Sequence, residues 1–118
     1  MRQEDKELLL KDLCARLPYG VKIQVPYEDG SGYFDEIVWE VNNDGPFHVN
    51  GWGIEYEYVK PYLFPLSSIT KKTLEELSAY IDIKNAYVAV EFFNSHHIDY
   101  RGLIPMRLAI DATGLNIY

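Results

Sequence analysis

The twelve residues Asn94-Ser95-His96-His97-Ile98-Asp99-Tyr100-Arg101-Gly102-Leu103-Ile104-Pro105 hold two of the three histidines, an acid, a guanidinium and a phenol. Their reading depends on what precedes them. Residues 86 to 93, Ala-Tyr-Val-Ala-Val-Glu-Phe-Phe, have the β-branched and aromatic content of a strand. Val88 with Phe92 and Phe93 with His97 nevertheless pair at helical spacing, and a helix is taken from about Asn85 to His97. Gly102 then becomes a left-handed residue shortly beyond the helix end, and Pro105 prevents simple continuation. Residues 106–112 form either a last helical turn or a short edge strand.

At the other end of the chain, Leu10, Leu13, Cys14 and Leu17 recur at i, i+3, i+4, i+7, which predicts a helix from about Asp5 to Leu17. Glu7 with Lys11 and Asp12 with Arg16 read as ion pairs on its polar side, and Pro18 and Gly20 stop it. Cys14 shares a face with three leucines, so a buried structural thiol is preferred to a nucleophile. Val21 to Val25 alternates as a half-buried strand.

Tyr33 to Val41 is the clearest strand, with Phe34, Glu36, Val38 and Glu40 on one side and Tyr33, Asp35, Ile37, Trp39 and Val41 on the other. Turns follow at 42–46 and at Asn50-Gly51, around a short strand at 47–49, and 54–59 alternates again. Residues 60–69, with Pro61 and Pro65, read as an extended connector, and Thr70 caps a helix to about Ile81.

These elements predict one α+β domain over residues 1–118. Its antiparallel meander of about four strands, open to curling into a partly open small barrel, is covered by the N-terminal helix and two C-terminal helices. The expected core is Leu10, Leu13, Cys14, Leu17, Leu74, Leu77, Phe92 and Phe93.

The net charge of −7 is unevenly placed. Residues 27 to 59 contain eight acids and no lysine or arginine, whereas the rest of the chain is nearly balanced. Such a field favours basic protein partners and disfavours phosphate backbones, so direct nucleic-acid binding is not expected. The charged opening Met-Arg-Gln-Glu-Asp-Lys-Glu is unlike a secretory signal, and no apolar window approaches the roughly 20 residues of a membrane span. A soluble cytoplasmic protein is expected.

Three blocks, LLLKDLCARLPYGVK (Leu8–Lys22), VKPYLFPLSSIT (Val59–Thr70) and NSHHIDYRGLIPMRLAI (Asn94–Ile110), resemble a group of short uncharacterised proteins. That group occurs in Bacteroides-type gut bacteria and in their phages and mobile elements. The resemblance supports a helix before the two histidines, and it shows often a glycine where this chain has Arg107 and a basic residue where it has Phe64. It implies a small accessory or regulatory protein of phage or conjugative origin and assigns no role to any residue.

Two arrangements stand out as candidate sites. His96, His97 and Asp99, with His48 as a distant fourth, offer zinc-type ligands for a metal-assisted hydrolase. Adjacent helical residues project about 100° apart, however, so imidazoles hydrogen-bonding a helix C-terminus are the preferred reading. Asp99, Tyr100 and Arg101 read as an internal ion pair in preference to an anion fork. The other arrangement is a sheet face bearing Glu36, Glu40, Glu55 and Glu57, with Trp52 between glycines as an aromatic anchor. It reads as a docking surface for a basic partner, or as an imitation of nucleic-acid charge. Neither a phosphate-cradling glycine loop, a Gly-x-Ser-x-Gly elbow nor a CxxC pair occurs, and no cofactor is expected.

Overall fold

The computed structural model describes residues 2–27, 29–38, 41–42, 45–46, 58–70, 75 and 86–118. Helix α1 spans Gln3–Arg16, with Glu4 and Asp5 in its first turn and Arg16 in its last, the charge order the helix dipole favours. A 3-10 turn over Leu17–Tyr19 opens on Pro18, and Gly20, at φ 68°, closes it in the left-handed region.

The buried face of α1 is not the expected one. Leu9, Asp12, Leu13 and Arg16 are each 0% exposed, while Leu10 and Leu17 are half-buried at the margin of the core. Cys14 is exposed, which corrects the expectation of a buried thiol. The stripe is displaced by one residue, a rotation of about 100°. The run Leu8-Leu9-Leu10 supplies an apolar residue to either phase. The phase that places Asp12 and Arg16 inward wins because both find partners in distant segments.

Strands β1 (Lys22–Pro26) and β2 (Tyr33–Ile37) form an antiparallel pair with Ile23 opposite Glu36 and Val25 opposite Phe34. Short strands β3 (Val41–Asn42) and β4 (Gly45–Pro46) form a separate antiparallel pair. Strand β5 (Lys60–Pro65) then pairs antiparallel with β1. Helix α2 spans Ala86–Ser95, close to the expected bounds, and leads into β6 (Ile98–Asp99), which runs parallel to β5. Strand β7 (Ile110–Asp111) also runs parallel to β5. Among the described residues the main sheet therefore has five strands in the order β2-β1-β5-β6, with β7 paired to β5.

This mixed sheet replaces the purely antiparallel meander expected, within the same α+β class. The stretch 60–65, expected to be a connector, is its central strand. Its prolines are tolerated because β5 pairs in two-residue pieces with different neighbours, and Pro65 stands at the strand's end. The Phe64 N–H donates to the His97 carbonyl at 2.8 Å, and the Leu63 carbonyl accepts the Ala112 N–H at 2.8 Å. Those two groups belong to one peptide unit and point to opposite edges of the strand. Most of the expected strands at 47–49 and 54–59 and of the helix at 70–81, with Leu74 and Leu77, lies outside the described residues.

The core gathers Leu9 and Leu13 of α1 against Val21, Ile23 and Val25, with Val38, Val59, Leu63, Leu103 and Leu108 completing it. Phe92 and Phe93 are half-buried and not core residues. On the opposite sheet face, which bears Tyr62 and Phe64, Tyr118 packs its ring near Phe64, and its hydroxyl donates to the Tyr62 carbonyl and accepts the Lys22 N–H, each at 2.8 Å. Among the described residues no helix is long and apolar enough to cross a membrane.

The rotation of α1 has a direct chemical readout. In folded protein the Cys14 thiol should react with an aromatic disulfide reagent at a rate within about tenfold of a free thiol. Protection that is lifted only by denaturant would restore the Leu10–Leu13–Cys14–Leu17 face.

Candidate functional site

Asp12 sits at the centre of a buried polar cluster. Its Oδ2 accepts from Arg16 Nε at 2.9 Å and its Oδ1 from Arg101 Nε at 3.2 Å. Arg16 also donates to the Ile98 carbonyl at 2.5 Å and the Phe93 carbonyl at 3.4 Å. Tyr100 roofs the cluster. Its ring stacks on Phe93 and lies 5.4 Å from the Arg16 guanidinium and 4.7 Å from that of Arg101, whose Nη2 donates to the phenol oxygen at 2.8 Å.

Asp99 has a different task. Its two carboxylate oxygens accept the backbone N–H groups of Leu103 and Ile104, both at 2.8 Å, and so fold the turn that delivers Leu103 to the core. Gly102, at φ 77°, is the left-handed residue expected inside that turn, and Arg107 is left-handed too at φ 63°. Asp99 and Arg101 therefore do not pair with each other; the arginine's carboxylate is Asp12.

The two histidines part company. His97 takes the left-handed conformation, at φ 59°, just past α2, and its ring lies flat on Tyr118 at 3.7 Å between centroids. Burial first, then the nearby Arg16 charge, pushes its pKa down to about 4. Its Nδ1 and the Asn94 Oδ1 are buried without a hydrogen-bond partner. Tyr118 is 41% exposed as a residue, yet its hydroxyl is enclosed between Lys22 and Tyr62, and burial raises its pKa to about 12. His96 is exposed, stacks on Phe92 at 4.1 Å, and brings Nδ1 to 3.0 Å from the Phe92 carbonyl, the helix-end bond expected of it.

His96, His97 and Asp99 are thus held in three separate environments, and among the described residues no three His, Cys, Asp or Glu side chains gather as a metal site. His48, Trp52, Glu40, Glu55 and Glu57 lie outside the described residues. Glu36 is half-buried on the face that β2 shares with Phe34 and Val38, the side turned toward the core. The exposed side of β2 carries Tyr33, Asp35 and Ile37. There the Tyr62 hydroxyl donates to Asp35 Oδ1 at 2.5 Å, and burial together with that bond raises the Tyr62 pKa to about 12.

Sequence reasoning placed Asp12 and Arg16 on the solvent side and missed their role. The signal lay in the spacing Leu9, Asp12, Leu13, Arg16, which puts a complementary charge pair on the same stripe as two leucines. The chain matches no family model, no curated protein and no solved structure.

Two measurements check this arrangement. Asp12→Leu leaves the buried guanidinium of Arg16 and the part-buried one of Arg101 without their counter-charge and should lower the unfolding free energy by about 3–5 kcal/mol in urea titration, against less than about 1 kcal/mol for a solvated pair. His97 is kept neutral by folding, so the folded chain binds fewer protons than the unfolded one below pH 6.5. Its contribution is complete above that pH and is lost as pH falls toward about 4, on the order of 2–3 kcal/mol in all. His97→Asn, which accepts a left-handed backbone and does not titrate there, should flatten the stability slope over that window. An unchanged slope would show that His97 is not its source.

Proposed function

We propose that this chain is a small, non-enzymatic accessory or regulatory protein that acts by contact with a basic protein partner. The observation that carries this reading is a group of exposed apolar side chains inside the acidic segment. Tyr27, Tyr33, Ile37 and Tyr58 are between 45% and 63% exposed, and all four fall within the segment 27–59 that has eight acids and no lysine or arginine. Rigid aromatic anchors within a field of one sign suit an interface in which tyrosines supply contact area and carboxylates supply orientation and on-rate. Glu36, half-buried on the other side of β2, and Glu40, Glu55, Glu57 and Trp52 of the same acidic segment are the further proposed contacts.

The state of the 94–105 stretch supports the same reading from the other side. Its acid, its guanidinium and its buried imidazole all hold the fold together: Asp99 through two amides, Arg101 through Asp12, His97 through Tyr118. Metal-assisted hydrolysis by His96, His97 and Asp99 would require Asp99 to exchange both amide bonds for an ion and His97 to leave its stack. A phage or mobile-element origin belongs to the proposal as well. The left-handed Arg107 is consistent with the resemblance, since a glycine, which the resembling proteins often carry there, adopts that conformation at no steric cost.

The test is co-purification from native cells at low and high salt. Reversal of Glu36, Glu40, Glu55 and Glu57 to lysine, and separately Tyr33→Ser with Ile37→Ser, should each remove the partner, with the wild-type complex weakening as salt rises. Retention of every partner by both variants would remove the proposed surface.

A further inference from the structure

A cavity of about 420 Å³ opens on the sheet face away from α1. That volume lies in the range of small-molecule sites, which are mostly apolar with a few placed polar groups. Phe64 of β5 and Ile98 of β6, neighbours in the parallel pairing, line its strand side. Phe92 and His96 contribute from the end of α2, and the turns that follow β5 and β7 contribute Ser68 and Thr113. Turns after parallel strands are where open sheets commonly hold ligands.

Two of the polar groups on this lining, His96 and Ser68, have a definite sense. His96 Nδ1 lies 3.0 Å from the Phe92 carbonyl and 3.1 Å from Ser95 Oγ, which is itself 3.0 Å from that carbonyl. A lone pair facing a carbonyl oxygen at this distance would repel, so the proton belongs on Nδ1. The neutral ring then presents its other nitrogen, Nε2, as an acceptor. Stacking on Phe92 holds the imidazole plane in place. Ser68 Oγ donates its proton to the Pro65 carbonyl at 2.6 Å, which leaves that oxygen as an acceptor too. Two acceptors beside aromatic walls complement a flat ring that carries a donor.

We infer that this cavity is a binding site for a small, uncharged aromatic molecule bearing a hydroxyl or ring N–H, with the ring against Phe64, Phe92 and Ile98 and the donor on His96 Nε2. The chain's charge of −7 further disfavours a carboxylate in the same place. The site stands independently of the protein-contact reading, because none of its lining residues belongs to the acidic segment.

The experiment is an NMR titration of the full-length labelled chain at pH 7.5 with phenol, indole and, as the anionic control, benzoate. Phenol or indole should cause saturable shifts at Phe92, His96, Ile98 and Thr113 with a dissociation constant below about 1 mM. Benzoate should bind at least about tenfold more weakly. His96→Phe keeps a ring but removes the acceptor, and should weaken indole about three- to tenfold, the worth of one hydrogen bond. Ser68→Trp and Thr113→Trp, both at exposed positions, should each abolish the shifts by filling the cavity. No saturable shift by either probe, shifts confined to residues elsewhere, binding that survives both tryptophans, or benzoate equal to phenol would overturn the site. Unaltered indole affinity in His96→Phe would overturn the assignment of His96.

Discussion

The structure depends on a single carboxylate held between two guanidiniums. Asp12 of α1 receives Arg16 from the next turn of its own helix and Arg101 from the far end of the chain, with its side chain and that of Arg16 fully buried. A second cation would be costly in that interior if the backbone did not share it. Arg16 reaches the carbonyls of Phe93 and Ile98, where the end of α2 and the start of β6 present partial negative charge. One polar knot therefore joins α1, α2, β6 and the turn that follows. A dry apolar contact could supply comparable stability, but the donors of a planar guanidinium are satisfied only in one arrangement of these elements.

Around that knot the segment 96–118 is built from local devices. His97, Gly102 and Arg107 take left-handed conformations, and Asp99 folds the turn between them by accepting two amides. Strands β6 and β7 are only two residues each, too short to hold position by pairing alone. Tyr118 anchors the end of the segment through its ring on His97 and its hydroxyl between β1 and β5. The same side chains that look catalytic in sequence thus act as joints, and the chemistry left over lies at the margin, on His96.

That division separates two surfaces. On one side of the sheet, β2 exposes Tyr33 and Ile37 within the most acidic part of the chain, which suits a broad and charged protein contact. Beside β5 and β6, a cavity of about 420 Å³ with His96 and Ser68 on its lining suits something small. Because β1 lies between β2 and the β5 that lines the cavity, each surface can be altered without removing the other.

Local patterns alone determined the two helices now seen, the alternation of Val21, Ile23 and Val25, the two-residue period of β2 and the left-handed Gly102, since each follows from the contacts or dihedrals of near neighbours, but not which side of β2 turns inward: Glu36, expected on an open docking face, lies on the side that Phe34 and Val38 turn to the core. The sequence also showed that His96 would meet the last carbonyls of α2. Only the tertiary structure decided which face of α1 turns inward. The run Leu8-Leu9-Leu10 offers a leucine to either phase, the rest of the stripe favours Leu13, Cys14 and Leu17, and the opposite choice rests on carbonyls and a guanidinium more than 75 positions away, as Arg16 to Ile98 shows with a separation of 82. The strand through Pro61 and Pro65 was likewise illegible, because β1 pairs only with its first two residues and the rest of its pairing comes from β6 and β7, whose parallel approach leaves no periodic trace in so few residues. Short-range order is written in spacing, whereas partners for buried charge and for lone peptide groups exist only once distant segments meet.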